Sequence, residues 1–227
     1  MRVLIVAATA MEVAPLAAAL GAPPAVAAER MRRCRHDRRD IELLITGVGM
    51  VATAAWCSRA LAQTKYDVAL NVGVCGSFDE AFAPGAVVHV ISDRVAELGA
   101  EDGDRFLTID ELKLTDPAGG PLARAELVNG SPPAGAALAR LPRARGISVN
   151  TVHGNARSIA EVRERFAPQV ESMEGAGFVY SCLLHDIPFA QVRAVSNVVE
   201  TRNRASWRLA EAVANLTATA LEVIGEL

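Results

Sequence analysis

The sequence predicts an α/β fold, a three-layer α/β/α sandwich around a mixed, mostly parallel central sheet. Two observations predict it. Short, nearly continuous apolar runs alternate with longer segments of helical periodicity, and the 227 residues are 51% apolar but only 4% aromatic. Such runs are typical of strands that are covered on both faces. Because no repeat or linker divides the chain, we expect one domain over residues 1–227.

Each predicted strand is an apolar run, and they lie at 3–7, 41–45, 68–72, 86–91, 147–152 and 189–195. Helical patterns between the runs predict helices at 11–20, 50–62, 158–166 and 175–185. In the last helix the apolar residues repeat at spacings of three and four, at Leu209, Val213, Leu216, Ala220 and Ile224. Residues 112–133, which contain several Gly and Pro residues, predict a surface loop.

The charge of the chain argues against a nucleic-acid or membrane partner. The net charge is −3 and the pI is about 5.9, so the protein has no field that would attract polyanions. One basic run, residues 30–39, allows a nucleic-acid interpretation, but a solvated hairpin or loop leading into 41–45 is the favoured one. The apolar runs are too short to span a bilayer, and we expect a cytoplasmic protein.

The cysteines and histidines do not form a metal-binding pattern. Cys34, Cys57, Cys75 and Cys182 contain no C-x-x-C pair, and none is spaced with a histidine as zinc ligands are. We interpret the cysteines as small buried hydrophobic residues in a reducing compartment. The sequence therefore predicts no metal and no organic cofactor.

A carboxylate follows the first predicted strand. Glu12 lies where a turn opens a helix, so it either accepts a proton in catalysis or caps the helix at the surface. The run 71–77 follows another strand, and its glycines let the backbone approach a ligand. It lacks the pattern of a phosphate loop, so we expect Gly73 and Val74 to contact a substrate, with a plain tight turn as the alternative.

Two further stretches combine charged and polar residues at predicted strand ends. Met173 and Glu174 precede a helix, and a carboxylate there suits the paired hydroxyls of a sugar, with solvent-facing acids in a first helical turn as the alternative. Arg193 lies within an apolar strand, where an unpaired charge is costly, so it needs a partner such as Glu12 or Glu174. Asn197 follows at the strand end, as a ligand-binding amide or as a helix cap with Glu200 three residues on.

Together these stretches resemble the purine and uridine phosphorylase superfamily, specifically its branch of methylthioadenosine/S-adenosylhomocysteine nucleosidases. The resemblance extends from the first strand to the last helix. It implies that Glu12 activates water and that Met173 and Glu174 hold the ribose of a purine nucleoside. The family's Arg-Ala-Ile-Ser-Asp strand corresponds to residues 193–197, so it implies catalytic roles for Arg193 and Asn197.

Two departures from that branch affect the expected substrate. In the nucleosidases an Asp donates a proton to N7 of adenine, and Asn197 stands at that position in this chain. A neutral amide is a poor proton source. This change favours a 6-oxopurine such as hypoxanthine. Val74 stands where the nucleosidases usually carry a Ser near the water. Residues 8–12 lack the Gly and Arg of the phosphorylases' phosphate loop, so water is the expected nucleophile.

Residues 97–103 and 149–152, and residues 196–197 followed by 200–204, resemble the futalosine hydrolase subfamily, which acts in menaquinone biosynthesis. That resemblance implies a substrate with a benzoate-containing tail. Arg202 or Arg204 could bind its carboxylate, or both could be surface charges near the last helix. The open alternatives are a methylthioadenosine/S-adenosylhomocysteine nucleosidase, a phosphorylase, and a binding module without catalysis. The relatives imply a homo-oligomer, a dimer or larger.

Overall fold

The computed structural model describes residues 1–24, 26, 29–116 and 118–227. In chain order the strands are β1 Arg2–Ala7, β2 Met31–His36, β3 Arg39–Ile45, β4 Val68–Ser77, β5 Val87–Asp93, β6 Gly99–Asp102, β7 Arg105–Thr108, β8 Leu127–Val128, β9 Arg143–Ser148, β10 Val170–Ser172 and β11 Phe189–Val198. The helices are α1 Ala10–Ala19, α2 Met50–Gln63, α3 Ala136–Arg140, α4 Ala156–Phe166, α5 Gly175–Leu184 and α6 Leu209–Glu226.

The main sheet has the order β10-β9-β5-β11-β4-β1-β3-β2, and β8 pairs with β5. The central strands β3, β1, β4 and β11 are mutually parallel, whereas β2 and β5 run antiparallel to β3 and β11. Strand β10 pairs with both β9 and β4, so five strands close into a ring at one end of the sheet. Strands β6 and β7 form a separate hairpin.

Helices cover both faces of the sheet. Successive side chains of each central strand point to opposite faces, so each strand packs against helices on both sides. On β1, Val3 and Ile5 pack with α1 and α6 in one apolar cluster, and Leu4 and Val6 pack with α2 and α5 in another. A strand that is buried on both sides needs apolar residues at every position. The predicted three-layer sandwich with a mixed sheet is confirmed.

The predicted helices match α1, α2, α4, α5 and α6 to within two residues, but two of the strand predictions were wrong. Strand β9 covers Arg143–Ser148 rather than 147–152, because its first half alternates exposed and buried residues instead of forming an apolar run. Strand β4 continues to Ser77 rather than ending at residue 72, so the glycine-rich segment is not the plain tight turn that was the alternative interpretation. The added length pairs with β11 along its whole course. Glu171 lies in the short strand β10 and Glu174 immediately precedes α5, and both are buried, so the alternative of solvent-facing acids in a first helical turn was wrong.

The basic run forms the hairpin of β2 and β3, although Arg32 in it is buried rather than solvated. Three cysteines are buried, but Cys34 on the edge strand β2 is only partly so. In the loop 112–133, β8 is the regular element among the described residues, and Pro117 lies outside them. No helix in the described part of the chain is long and apolar enough to cross a membrane.

Candidate active site

A cleft lies at the carboxyl ends of the parallel strands, where ligands bind in open α/β sheets. Its main cavity has a volume of about 300 Å³. The ends of β1, β4, β10 and β11 supply most of its wall, and the starts of α1 and α6 and the loops after β3 and β9 complete it. The lining residues are Ala8, Thr9, Met11, Glu12, Val48, Val74, Cys75, Gly76, Val152, Glu171, Ser172, Met173, Glu174, Ser196, Asn197, Trp207 and Leu209.

Glu12 lines this cavity and is buried. Its Oε2 accepts hydrogen bonds from the backbone N–H and the hydroxyl of Thr9, at 2.9 and 2.8 Å. Its Oε1 accepts one from the backbone N–H of Val74 at 3.1 Å. Glu12 therefore both interacts with the residue that caps α1 and faces the cleft, so the two interpretations of this residue are compatible. Donors from two segments fix the direction of its carboxylate.

Arg193 lies behind the cleft, at 1% exposure, and does not line it. Its guanidinium donates to the side chains of Asn71 and Gln191 and to the backbone oxygen of Val74. It also lies 3.5 Å from Glu174 Oε2. Of the two carboxylates expected as its partner, Glu174 makes the contact. Arg193 thus supports the wall of the cleft from within the sheet.

Gly73 provides the space for this arrangement. It pairs with Arg193 across β4 and β11. A Cβ on Gly73 would lie 2.5 Å from Arg193 Nη1, closer than Cβ atoms pack, and 3.0 Å from Glu12 Oε1, a tight contact. Gly73 does not line the cavity. Its role is to leave room for the side chains of Arg193 and Glu12, which a larger residue would displace. Val74 does line the cavity, and its backbone bonds to both Glu12 and Arg193.

The buried polar contacts continue past Arg193 to Asp93. Gln191 accepts from Arg193 and donates to Asp93 Oδ2 at 3.0 Å, and Ser148 donates to Asp93 Oδ1 at 3.0 Å. Burial raises the pKa of Asp93 to about 6, and these hydrogen bonds partly oppose the shift. This network was not predicted from the sequence. Its signal is that Gln191 and Arg193 are polar residues on one face of an otherwise apolar strand.

Glu174 joins three elements at the cleft. It immediately precedes α5, and its Oε1 accepts from the backbone N–H of Gly49 at 3.1 Å, at the start of α2. Gly49 has a φ of 100°, which favours glycine. Met173 lies beside Glu174 in the cavity wall, and Met11 and Val48 give that wall more apolar surface. A carboxylate next to an apolar wall matches the two sides of a ribose.

Asn197 marks the other end of the cleft, where a smaller cavity of about 60 Å³ opens off the main one. Its Nδ2 donates to the backbone oxygen of Val198 at 2.9 Å, and its Oδ1 accepts from Ser196 Oγ at 2.8 Å. Because Nδ2 carries two hydrogens, one N–H remains for a ligand. Asn197 lies in β11 beside a shift of register, so its interpretation as a helix cap was wrong.

Arg202 lines the smaller cavity and not the main one. Its guanidinium lies over the ring of Trp207, 5.6 Å from the centroid, and Arg204 lies 6.0 Å from the same ring. Both arginines are exposed. The structure therefore places Arg202 at the Asn197 end of the cleft, apart from Glu12, Met173 and Glu174, which line the main cavity.

Carboxylates dominate the charged lining of the main cavity. Glu12, Glu171 and Glu174 line it, none of its described lining residues is Lys, Arg or His, and Arg193 contacts Glu174 from behind the wall. Because the carboxylates outnumber this one cation, the cavity disfavours phosphate and favours a cationic centre. Burial raises the pKa of the Cys75 thiol to about 12, so this cavity residue is a neutral thiol at pH 7 and a poor nucleophile. Within the described ranges, no cluster of three His, Cys, Asp or Glu side chains forms a metal site.

The chain is similar to curated proteins over most of its own length and most of theirs. The futalosine hydrolase of Streptomyces coelicolor is 33% identical over 195 residues, covering 82% of this chain and 77% of that one. The futalosine hydrolase of Thermus thermophilus is 27% identical over 189 residues, covering 81% and 80%.

The same fold occurs in a crystal structure of the 5′-methylthioadenosine/S-adenosylhomocysteine nucleosidase of Colwellia psychrerythraea in complex with adenine. The TM-score is 0.78 at 21% identity, over 99% of this chain and 95% of that one. The family model described as the phosphorylase superfamily matches residues 2–225. Its match over nearly the whole length, together with these relatives, shows that the chain belongs to the phosphorylase superfamily.

Proposed function

We propose that this protein hydrolyses the N-glycosidic bond of futalosine, releasing hypoxanthine and dehypoxanthine futalosine, in menaquinone biosynthesis. The observation that carries the proposal is the charge of the cleft. Three carboxylates line its main cavity and no Lys, Arg or His is among the described residues that line it, and an amide, Asn197, lies at the other end of the cleft. The first feature suits water as nucleophile, and the second suits a 6-oxopurine. Relatives named futalosine hydrolase support the same substrate.

In this mechanism the bond between C1′ and the base nitrogen breaks through a transition state with oxocarbenium character. Glu12 takes a proton from water as the water oxygen bonds to C1′. The bonding electron pair leaves with the base, which gains its proton from solvent. The carboxylates of Glu12 and Glu174 stabilise the positive charge that develops on the sugar.

The other residues bind and position the substrate. Glu174 accepts hydrogen bonds from the ribose hydroxyls, and Met173 packs against the sugar. Asn197 donates its remaining N–H to N7 or O6 of the base, and so stabilises the negative charge that develops there. Arg193 is a positioning residue, because it touches Glu174 and the backbone of Val74 rather than the cavity. No cofactor takes part.

We assign Arg202 to the carboxylate of the substrate's tail. Its exposed guanidinium at the rim of the smaller cavity supports binding of an anion. The tail would then have to pass the Asn197 end of the cleft to reach it. The alternative, that Arg202 only packs on Trp207, predicts no preference for a carboxylate tail.

We further propose that the protein acts in the cytoplasm as a homo-oligomer. Apolar side chains at the mouth of the cleft support an interface there, since Met11 is 59% exposed and Val48 is 56% exposed. Val51, in the first turn of α2, is 81% exposed. Burial of these residues by a second copy would remove their apolar surface from water.

The substrate assignment predicts that purified protein releases hypoxanthine from futalosine in phosphate-free buffer. Chromatography of the products, with and without phosphate, makes the measurement. Faster adenine release from methylthioadenosine would favour the nucleosidase alternative, and turnover that requires phosphate would favour a phosphorylase. Tight binding without base release would identify a binding module.

Replacing the proposed general base tests its role. We expect Glu12→Gln to lower kcat by about 10²–10⁴-fold, because the amide cannot take the proton from water, and to leave KM nearly unchanged. Steady-state kinetics on the variant measure both values. Glu211→Gln is the matched control, since Glu211 is also an acid in a first helical turn but lies outside the cleft. Wild-type turnover in Glu12→Gln would contradict the role.

Replacing the amide at the base end tests the preference for a 6-oxopurine. We expect Asn197→Asp to lower the ratio of kcat/KM for futalosine to that for its 6-amino analogue by at least about 10-fold, because a carboxylic acid can protonate N7 while it accepts from the 6-amino group. Asn203→Asp introduces the same change at another residue of the smaller cavity. An unchanged ratio in Asn197→Asp, or an equal fall in Asn203→Asp, would count against the assignment.

A further inference from the structure

Glu171 and His153 form a paired carboxylate and imidazole in the cleft, and the mechanism above gives neither a role. Glu171 Oε1 accepts from the backbone N–H of His153 at 3.0 Å, and Oε2 contacts His153 Nδ1. The side chains are 3% and 15% exposed. The ring of Phe78 packs edge-on against the imidazole, with centroids 6.2 Å apart, so His153 contacts both Glu171 and Phe78.

The pair lies at the base end of the cleft. Both members line the smaller cavity together with Asn197, whereas Glu12, Met173 and Glu174 do not. Glu171 also lines the main cavity, so it stands where the two cavities meet. Each of its oxygens receives one donor from His153 and keeps further lone-pair sites for a ligand.

The edge of a 6-oxopurine needs two kinds of partner. N7 and O6 accept hydrogen bonds, and Asn197 offers a donor for them. N1 of a 6-oxopurine carries a hydrogen and needs an acceptor, whereas N1 of a 6-aminopurine is itself an acceptor. A carboxylate facing N1 therefore attracts the first base and repels the second.

We propose that Glu171, held in place by His153, is a specificity-determining residue that accepts the N1–H of a 6-oxopurine and disfavours 6-aminopurines. This inference rests on the proposed function and deepens it. Asn197 and Glu171 would then recognise neighbouring parts of one base edge with opposite hydrogen-bond polarity. Glu171 takes no part in the bond-breaking step, so it acts on the choice of base and not on the activation of water.

The test compares one 6-oxopurine nucleoside, futalosine, with its 6-amino analogue. We expect Glu171→Gln to lower the ratio of kcat/KM values, oxo over amino, by about 10- to 100-fold. The amide of the introduced Gln must turn its NH₂ group toward either His153 or the base. An N–H that faces N1 can donate to the 6-amino compound but not to the 6-oxo compound, so the ratio falls. Glu200→Gln is the matched control, because Glu200 is a second carboxylate of the smaller cavity but is exposed.

Each outcome decides between the alternatives. A fall in the ratio for Glu171→Gln with no fall for Glu200→Gln supports the proposal. An equal loss of kcat/KM on both substrates in Glu171→Gln indicates a structural role and overturns the proposal. A fall in the ratio in Glu200→Gln alone also overturns the proposal. If Glu171→Gln does not fold, His153→Gln makes the test, with a smaller fall expected and an unchanged ratio overturning the proposal. If the wild-type protein is inactive on both nucleosides, the proposed function is overturned as well. If the wild-type protein is active, the variants test the role of Glu171 alone.

Discussion

The structure of the cleft depends on one buried guanidinium. Arg193 lies inside the sheet, where an unpaired charge would cost several kcal/mol, and its neighbours compensate it with an amide oxygen each from Asn71 and Gln191, the backbone oxygen of Val74 and the carboxylate of Glu174. These partners come from β4, β11 and the residue before α5. The position of Glu174 in the cleft wall therefore follows from the packing of the sheet, and Glu12 is tied to the same group through Val74.

This arrangement divides the cleft into two chemically different ends. Glu12 and Glu174 make the inner end anionic, which suits a sugar that becomes cationic as its bond to the base breaks. Asn197, His153 and Glu171 make the other end a set of directed donors and acceptors, which suits a flat heterocycle. The same separation favours water over phosphate as the nucleophile, since a phosphate ion would have to approach C1′ past Glu12 and Glu174, and no Lys, Arg or His is among the described residues that line this cavity.

Much of the fold and part of the site could be predicted from local sequence. Helices on both faces of the sheet require continuous apolar strands, and those runs are visible without a structure. Glu12, Glu174, Arg193 and Asn197 stand out because each is polar at or near the end of such a run. The structure brings Glu12, Glu174 and Asn197 into one cavity and places Arg193 directly behind it.

The parts that escaped prediction depend on contacts between distant segments. Asn71 and Gln191 meet only because β4 and β11 pair in one register, and local pattern does not specify register. The same pairing puts Gly73 opposite Arg193, which turns an expected ligand contact into a packing requirement. His153 and Glu171 come together because the loop after β9 lies against β10, and β10 is too short to be recognised from periodicity.

The most direct test of the two-ended cleft is a crystal structure of the Glu12→Gln protein with an uncleaved 6-oxopurine nucleoside bound. We expect the base at the smaller cavity with its N7 and O6 edge at Asn197, the ribose hydroxyls at Glu174, and a water molecule between residue 12 and C1′. A nucleoside bound the other way round, with its base against residue 12, would contradict this expectation, as would a sugar whose C1′ faces bulk solvent instead of that side chain.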